Sequence, residues 1–199
     1  MTAISDAALH QAFQREYPVD LTRTTEGESP SEYDFDRTEA EKLVGARWED
    51  IQADRLQESF DIASWLNPRA FHYFFPSFIK QSQADVEETS LLVDSLINML
   101  ADSGVHWPEP LRDAEPKVLG ENPDIKEALD SINEKDVSAW RQDRWKLFTE
   151  QQWVLVREWL NWINQDERWE VDRDVLRKAM KNAVDWQMNP AGGLGTAHR

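Results

Sequence analysis

The chain has 199 residues, a formal net charge of −16 and no cysteine, so disulfides, thiolate catalysis and every cysteine-ligated metal site are excluded. Charge of that sign disfavours direct binding to nucleic acid or an anionic membrane and points to basic or neutral partners. The length suits one domain able to bury its own core.

The opening residues carry Asp6 and no basic stretch followed by an apolar run, and no window approaches the roughly 20 apolar residues of a membrane span. The expected compartment is the cytoplasm. Ile4, Ala8, Leu9, Ala12 and Phe13 fall at helical spacing and predict a short amphipathic helix over 3–16, ended by Pro18. Residues 22–37, rich in Thr, Glu, Ser and Asp and without a period, read as a surface loop. Thr38 is the expected N-cap of the next helix, and Gly45 the point that divides it from the stripe of Trp48, Ile51 and Leu56.

Asn67-Pro68 is a strong helix start, because Asn caps free amides and Pro loses no bond at the first helical position. Phe71, Phe74, Phe75, Phe78 and Ile79 then trace a buried face, with Pro76 expected to kink the helix or mark a junction. A helix over 86–101 turns Val86, Leu92, Val93, Leu96, Ile97 and Leu100 inward and Glu87, Glu88 and Asp94 outward. A proline-rich crossover follows over 102–123. Helices are expected over about 124–133, 137–147, 150–166 and 174–187, the third opening on a Thr149/Gln152 capping box. Residues 189–199, rich in glycine, read as a disordered tail. No segment shows the alternation of a strand, so the predicted fold is all-α: one irregular helical bundle of about seven to eight helices spanning 1–188.

No catalytic pattern stands out. His10, His72, His106 and His198 are dispersed and none lies in HExxH, so no metal site or cofactor is predicted. Asp34, Asp36 and Thr38 open like a calcium loop, but Glu39 and Gly45 stand where Gly and Glu are required. No serine lies in GxSxG.

Two features single out candidate contacts. Acidity is concentrated between Asp85 and Asp136, where 14 acidic residues face four basic ones, whereas Val137 to Arg199 holds nine acidic and ten basic. Tryptophan is concentrated in the last third, at Trp140, Trp145, Trp153, Trp159, Trp162, Trp169 and Trp186. Trp153 and Trp159 are six residues apart and do not share one narrow helical stripe. One of them is therefore expected outside, and Trp159 with Trp162 is the candidate anchor pair. Partner-binding candidates are thus Trp159, Trp162, Glu87, Glu88 and Asp94.

Trp65 to Ile79, WLNPRAFHYFFPSFI, resembles the first signature of an uncharacterised family of small bacterial helical domains. Phe148 to Ile163, FTEQQWVLVREWLNWI, resembles its second, and Trp48-Glu49-Asp50-Ile51 occupies the place of a third. His72 and Phe75 depart from that pattern, which commonly has Arg and Leu there. The resemblance covers residues 38–165 and implies a helical domain with no catalytic residues to carry over.

The expected function is a non-catalytic protein-binding module, of the inhibitor or immunity type that neutralises a bacterial toxin, with a basic protein as partner. The alternatives are an acidic nucleic-acid mimic and an enzyme with a Trp-lined pocket.

Overall fold

A computed structural model describes residues 3–26, 35–58, 61–101 and 142–188. The fold is all-α. Its elements are α1 (Asp6–Ala12), α2 (Phe35–Glu41), a 3-10 turn (Trp48–Asp50), α3 (Ala53–Glu58), α4 (Ile62–Trp65), α5 (Pro68–Ala84), α6 (Val86–Ala101), α7 (Glu150–Gln165) and α8 (Arg173–Met188). Residues 142–145 are also helical. Among the described residues the sole β pairing is an isolated bridge between Thr25 and Leu66, and no helix is long and apolar enough to cross a membrane. The crossover expected over 102–123, the helix over 124–133, the start of that over 137–147 and the tail over 189–199 lie outside the described residues, as does much of the 22–37 loop.

Local chemistry explains most of the starts. Ser5 caps α1 by accepting from the Ala8 amide at 3.3 Å, and Asn67 caps α5 by accepting from the Ala70 amide at 2.9 Å. Thr149 and Gln152 close the full reciprocal box at the start of α7. At α8, the Asp172 carboxylate accepts from the amides of Asp174 and Val175 at 2.8 and 3.1 Å.

Three expectations are corrected. α1 ends at Ala12, because Phe13 turns extended and buries its ring against Phe75 and Phe148; tertiary packing overrides the local period. Thr38 lies inside α2 rather than capping it, since the helix has begun at Phe35. The Thr24 hydroxyl donates to the Ala40 carbonyl at 2.5 Å, and the Leu43 amide reaches back only to Ala40, so α2 unwinds before Gly45, whose φ of 78° few other residues adopt. α5 runs through Pro76 as one element, so of the two expected outcomes the junction is overturned; buried aromatic residues on both sides of the proline hold the helix together.

α5 is the centre of the molecule. Buried residues from Ala70 to Ser82 occur all round it, as expected of a helix enclosed by others. The 3-10 turn, α3 and α6 pack closely against it, and α7 meets it through large side chains: Phe75 and Trp159 lie 5.9 Å apart edge to face. α7 and α8 form a pair in which Trp153 stacks on Trp186, ring centroids 6.0 Å apart. α8 packs in turn on α6, where the Asn182 amide group donates to the Leu100 carbonyl at 2.9 Å. The buried side chains form one continuous cluster. Arg144, buried beside it, donates to the carbonyls of Ser64 and Leu66 at 2.9 and 2.6 Å. Burial pushes its pKa down to about 9, so it remains a cation at neutral pH and closes the end of α4.

Candidate functional site

The first two turns of α6 project a short stripe outward. Glu87, Leu91 and Asp94 stand at i, i+4 and i+7, so they share one side of the helix. The start of α6 is fixed by Asp85, whose carboxylate accepts from the Glu88 amide at 3.1 Å and whose carbonyl accepts from the Thr89 hydroxyl. Leu91 is 58% exposed, although its neighbours Leu92 and Val93 are core residues.

The turn between α7 and α8 faces this stripe. Asp166 ends α7 through its amide, which donates to the carbonyls of Trp162 and Ile163. Its carboxylate takes both arms of the Arg168 guanidinium, at 3.0 and 2.6 Å. These hydrogen bonds hold the Asp166 carboxyl below the ordinary carboxylate range and the guanidinium above its own. Arg173 braces the same turn by donating to the carbonyls of Asn164 and Trp169. Trp169 is buried edge to face on Trp162, 6.0 Å between centroids.

Between stripe and turn lies a cleft of about 690 Å³. Asp85, Glu87, Asp94 and Glu170 contribute acidic side chains to its lining, and among the described residues Arg168 is the sole basic one. Because Asp166 already engages that guanidinium, the cleft is anionic. Its apolar part comes from Val86, Leu91, Trp169 and Val171. Trp169 is 2% exposed, and its indole N–H has no acceptor among the described residues.

The structure brings two of the five predicted residues, Glu87 and Asp94, to this cleft. Glu88 points elsewhere, as a neighbour one residue along a helix must; it is half-buried and does not line the cleft. Trp159 and Trp162 are not an exposed anchor pair, being 1% and 9% exposed. Trp159 donates its N–H to the Ser82 hydroxyl at 2.9 Å, and Trp153 is buried as well. The single-stripe argument fails because α7 is covered from two directions, by α5 and by α8, so positions six residues apart are both interior. Trp162 instead supports the cleft from beneath, through Trp169.

Sequence reasoning overlooked Leu91, Arg168, Trp169 and Glu170. Leu91 carried a readable signal: a leucine off the inward stripe, flanked at helical spacing by two acids. Arg168 had a weaker one in Asp166-x-Arg168.

A second, smaller cleft of about 290 Å³ is lined by Phe13, Arg69, His72, Tyr73 and Leu147, among others. The Gln152 carbonyl oxygen accepts from the Thr149 amide while its NH2 donates to the Ala12 carbonyl, so the His72 Nε2 at 2.9 Å from that oxygen is the donor. Burial holds the imidazole below its ordinary pKa, with the bond to Gln152 opposing. Among the described residues no Asp or Glu lines this cleft. Among the described residues no group of three or more His, Asp or Glu stands together to hold a metal ion. Compared with protein-family models, with curated proteins and with solved structures, the chain finds no match.

Proposed function

We propose that the chain is a non-catalytic protein-binding module of the inhibitor or immunity type, which holds a basic partner such as a bacterial toxin. The observation that carries this reading is the cleft beside α6, where four carboxylates surround an exposed leucine over a braced turn. Carboxylates supply steering toward a basic surface and discrimination against acidic ones, and an apolar centre supplies residence. The alternative of a nucleic-acid decoy rests on the acidic stretch from Asp85 to Asp136, of which only the residues up to Ala101 are among the described ones, and there Leu91 stands between Glu87 and Asp94. The resemblance to small bacterial helical domains agrees with such a role; the two segments that carry it, in α5 and α7, build the aromatic core.

The test is surface plasmon resonance against a partner isolated from the native host. The association rate should fall steeply between about 0.05 and 0.5 M salt, where the screening length shrinks through about 10 Å, while dissociation changes less. An association rate indifferent to salt would contradict the reading.

A further inference from the structure

The smaller cleft, over the first turns of α5, has no lining residue in common with the one beside α6, and its chemistry is different. Arg69, His72 and Tyr73 stand at i, i+3 and i+4, so one side of α5 brings all three to it. Phe13 and Pro18 from the link after α1, with Leu147 from the turn before α7, supply apolar walls. Tyr73 contributes its ring, because its hydroxyl already donates to the Arg15 carbonyl at 3.0 Å. Two polar groups are left for a ligand. His72 donates through Nε2 to Gln152 at 2.9 Å, so the lone pair of the neutral imidazole lies on Nδ1, an acceptor without a partner among the described residues. Burial favours that neutral form. Arg69 gives one N–H to Asp20 at 2.8 Å, and its other donors have no acceptor among the described residues. The two groups differ in depth. The imidazole is packed on Phe13 and Phe148, 5.9 and 5.0 Å between centroids, whereas the Arg69 side chain is 52% exposed at the mouth.

We infer that this cleft binds a free one-ring aromatic acid, its carboxylate on Arg69, its ring against Phe13, Tyr73 and Leu147, and a ring hydroxyl donating to His72 Nδ1. A cation at the mouth and an acceptor within place the ligand's two polar groups at opposite ends of the ring. The volume of about 290 Å³ lies at the lower edge of small-molecule sites, roughly 300 to 1,000 Å³, and suits one ring rather than a fused pair. A carboxylate fits the planar guanidinium fork, and no Asp or Glu among the described residues lines the cleft to repel it. Asp20 is the competitor: its side chain is 69% exposed and holds Arg69 through one oxygen, so a ligand carboxylate shares the guanidinium with it or displaces it. The inference goes beyond the protein-binding reading and does not depend on it.

The experiment titrates the full chain with para-hydroxybenzoate, with para-methoxybenzoate, which lacks the donor, and with para-hydroxybenzamide, which lacks the charge. Calorimetry should give a Kd of about 1 mM or tighter for the first, a modest affinity for about ten non-hydrogen atoms, and at least about fivefold weaker binding of each analogue. Arg69→Gln should weaken para-hydroxybenzoate about tenfold. His72→Phe, which keeps the ring contacts, should abolish the preference for hydroxyl over methoxy. Asp20→Asn should strengthen binding about twofold by removing the competing carboxylate, a gain that misfolding does not produce. In long-range ¹H–¹⁵N spectra the His72 Nδ1 signal should be that of an unprotonated nitrogen and should move on titration, while the signals of His10 stay. No binding up to about 10 mM, equal binding of the three compounds, or an affinity indifferent to both Arg69→Gln and His72→Phe overturns the assignment. Because the two clefts share no residue, such a failure leaves the protein-binding reading standing, and a salt-indifferent association rate leaves this assignment standing. Arg69 and Asp20 are exposed, so their variants test the surface, and unchanged circular dichroism confirms that.

Discussion

Trp159 and Leu91 sit near the middle of two helices of 16 residues each, α7 and α6, and their fates are opposite. Trp159 is enclosed by α5 with its one donor satisfied, whereas Leu91, the smaller side chain and the one surrounded by acids, faces solvent. The difference lies in where each residue falls on its helix, since both helices are packed against several others. Trp159 stands on the side of α7 that meets Phe75 and Ser82 of α5. The start of α6 lies against the core on one side only, so an apolar residue off that side is left outside. Aromatic abundance therefore marks the interior of this molecule, and a misplaced aliphatic residue marks its candidate contact surface.

The comparison breaks most visibly in stability. Phe75 contacts Trp145, Phe148 and Trp159 edge to face, so Phe75→Ala should cost about 3 to 5 kcal/mol in chemical denaturation. Leu91→Ala should cost under about 0.5 kcal/mol. Similar costs at both positions would erase the distinction between core and surface.

A smaller effect sharpens it. Trp159→Phe keeps one aromatic ring but removes the pyrrole half of the indole and its bond to Ser82, a hydroxyl that itself donates to the Ile79 carbonyl at 2.8 Å. A loss of about 1 to 2 kcal/mol in stability is expected, with no change in dissociation from a partner. A faster dissociation at unchanged stability would return Trp159 to the surface.

The smallest effect concerns His72, at the junction of α1, α5 and α7. Its pKa is depressed in the folded state by burial, so the unfolded chain binds more protons between the folded value and about 6.5. The stability it contributes is complete above about pH 6.5 and is lost as pH falls toward the folded value. Urea midpoints measured from pH 7.5 to 5 should decline for the native chain and decline less for His72→Phe, which keeps the contacts with Phe13 and Phe148. Parallel curves would contradict this.

Much of the fold was legible because its helix starts are encoded locally. Asn67-Pro68 and the Thr149/Gln152 pair need only their own neighbours, and the helix predicted over 86–101 has the bounds of α6. The end of α1 was misjudged because long-range partners, the rings of Phe75 and Phe148, hold Phe13 extended, and Thr38 was misjudged because α2 begins at Phe35 without the cap that its sequence suggested. Half of the cleft was legible in the outward acids of α6. The other half depends on a turn whose shape comes from Asp166 gripping Arg168 and Trp169 resting on Trp162, contacts without a period to betray them.

The central claim is that the outward stripe of α6 serves binding and not folding. Glu87→Lys examined in one preparation, by urea denaturation and by association kinetics with the native partner, tests it most directly. The account predicts an unfolding free energy within about 1 kcal/mol of the native chain and an association rate at least about threefold slower at low salt. An unchanged association rate, or a loss of binding that follows a loss of stability, would contradict it.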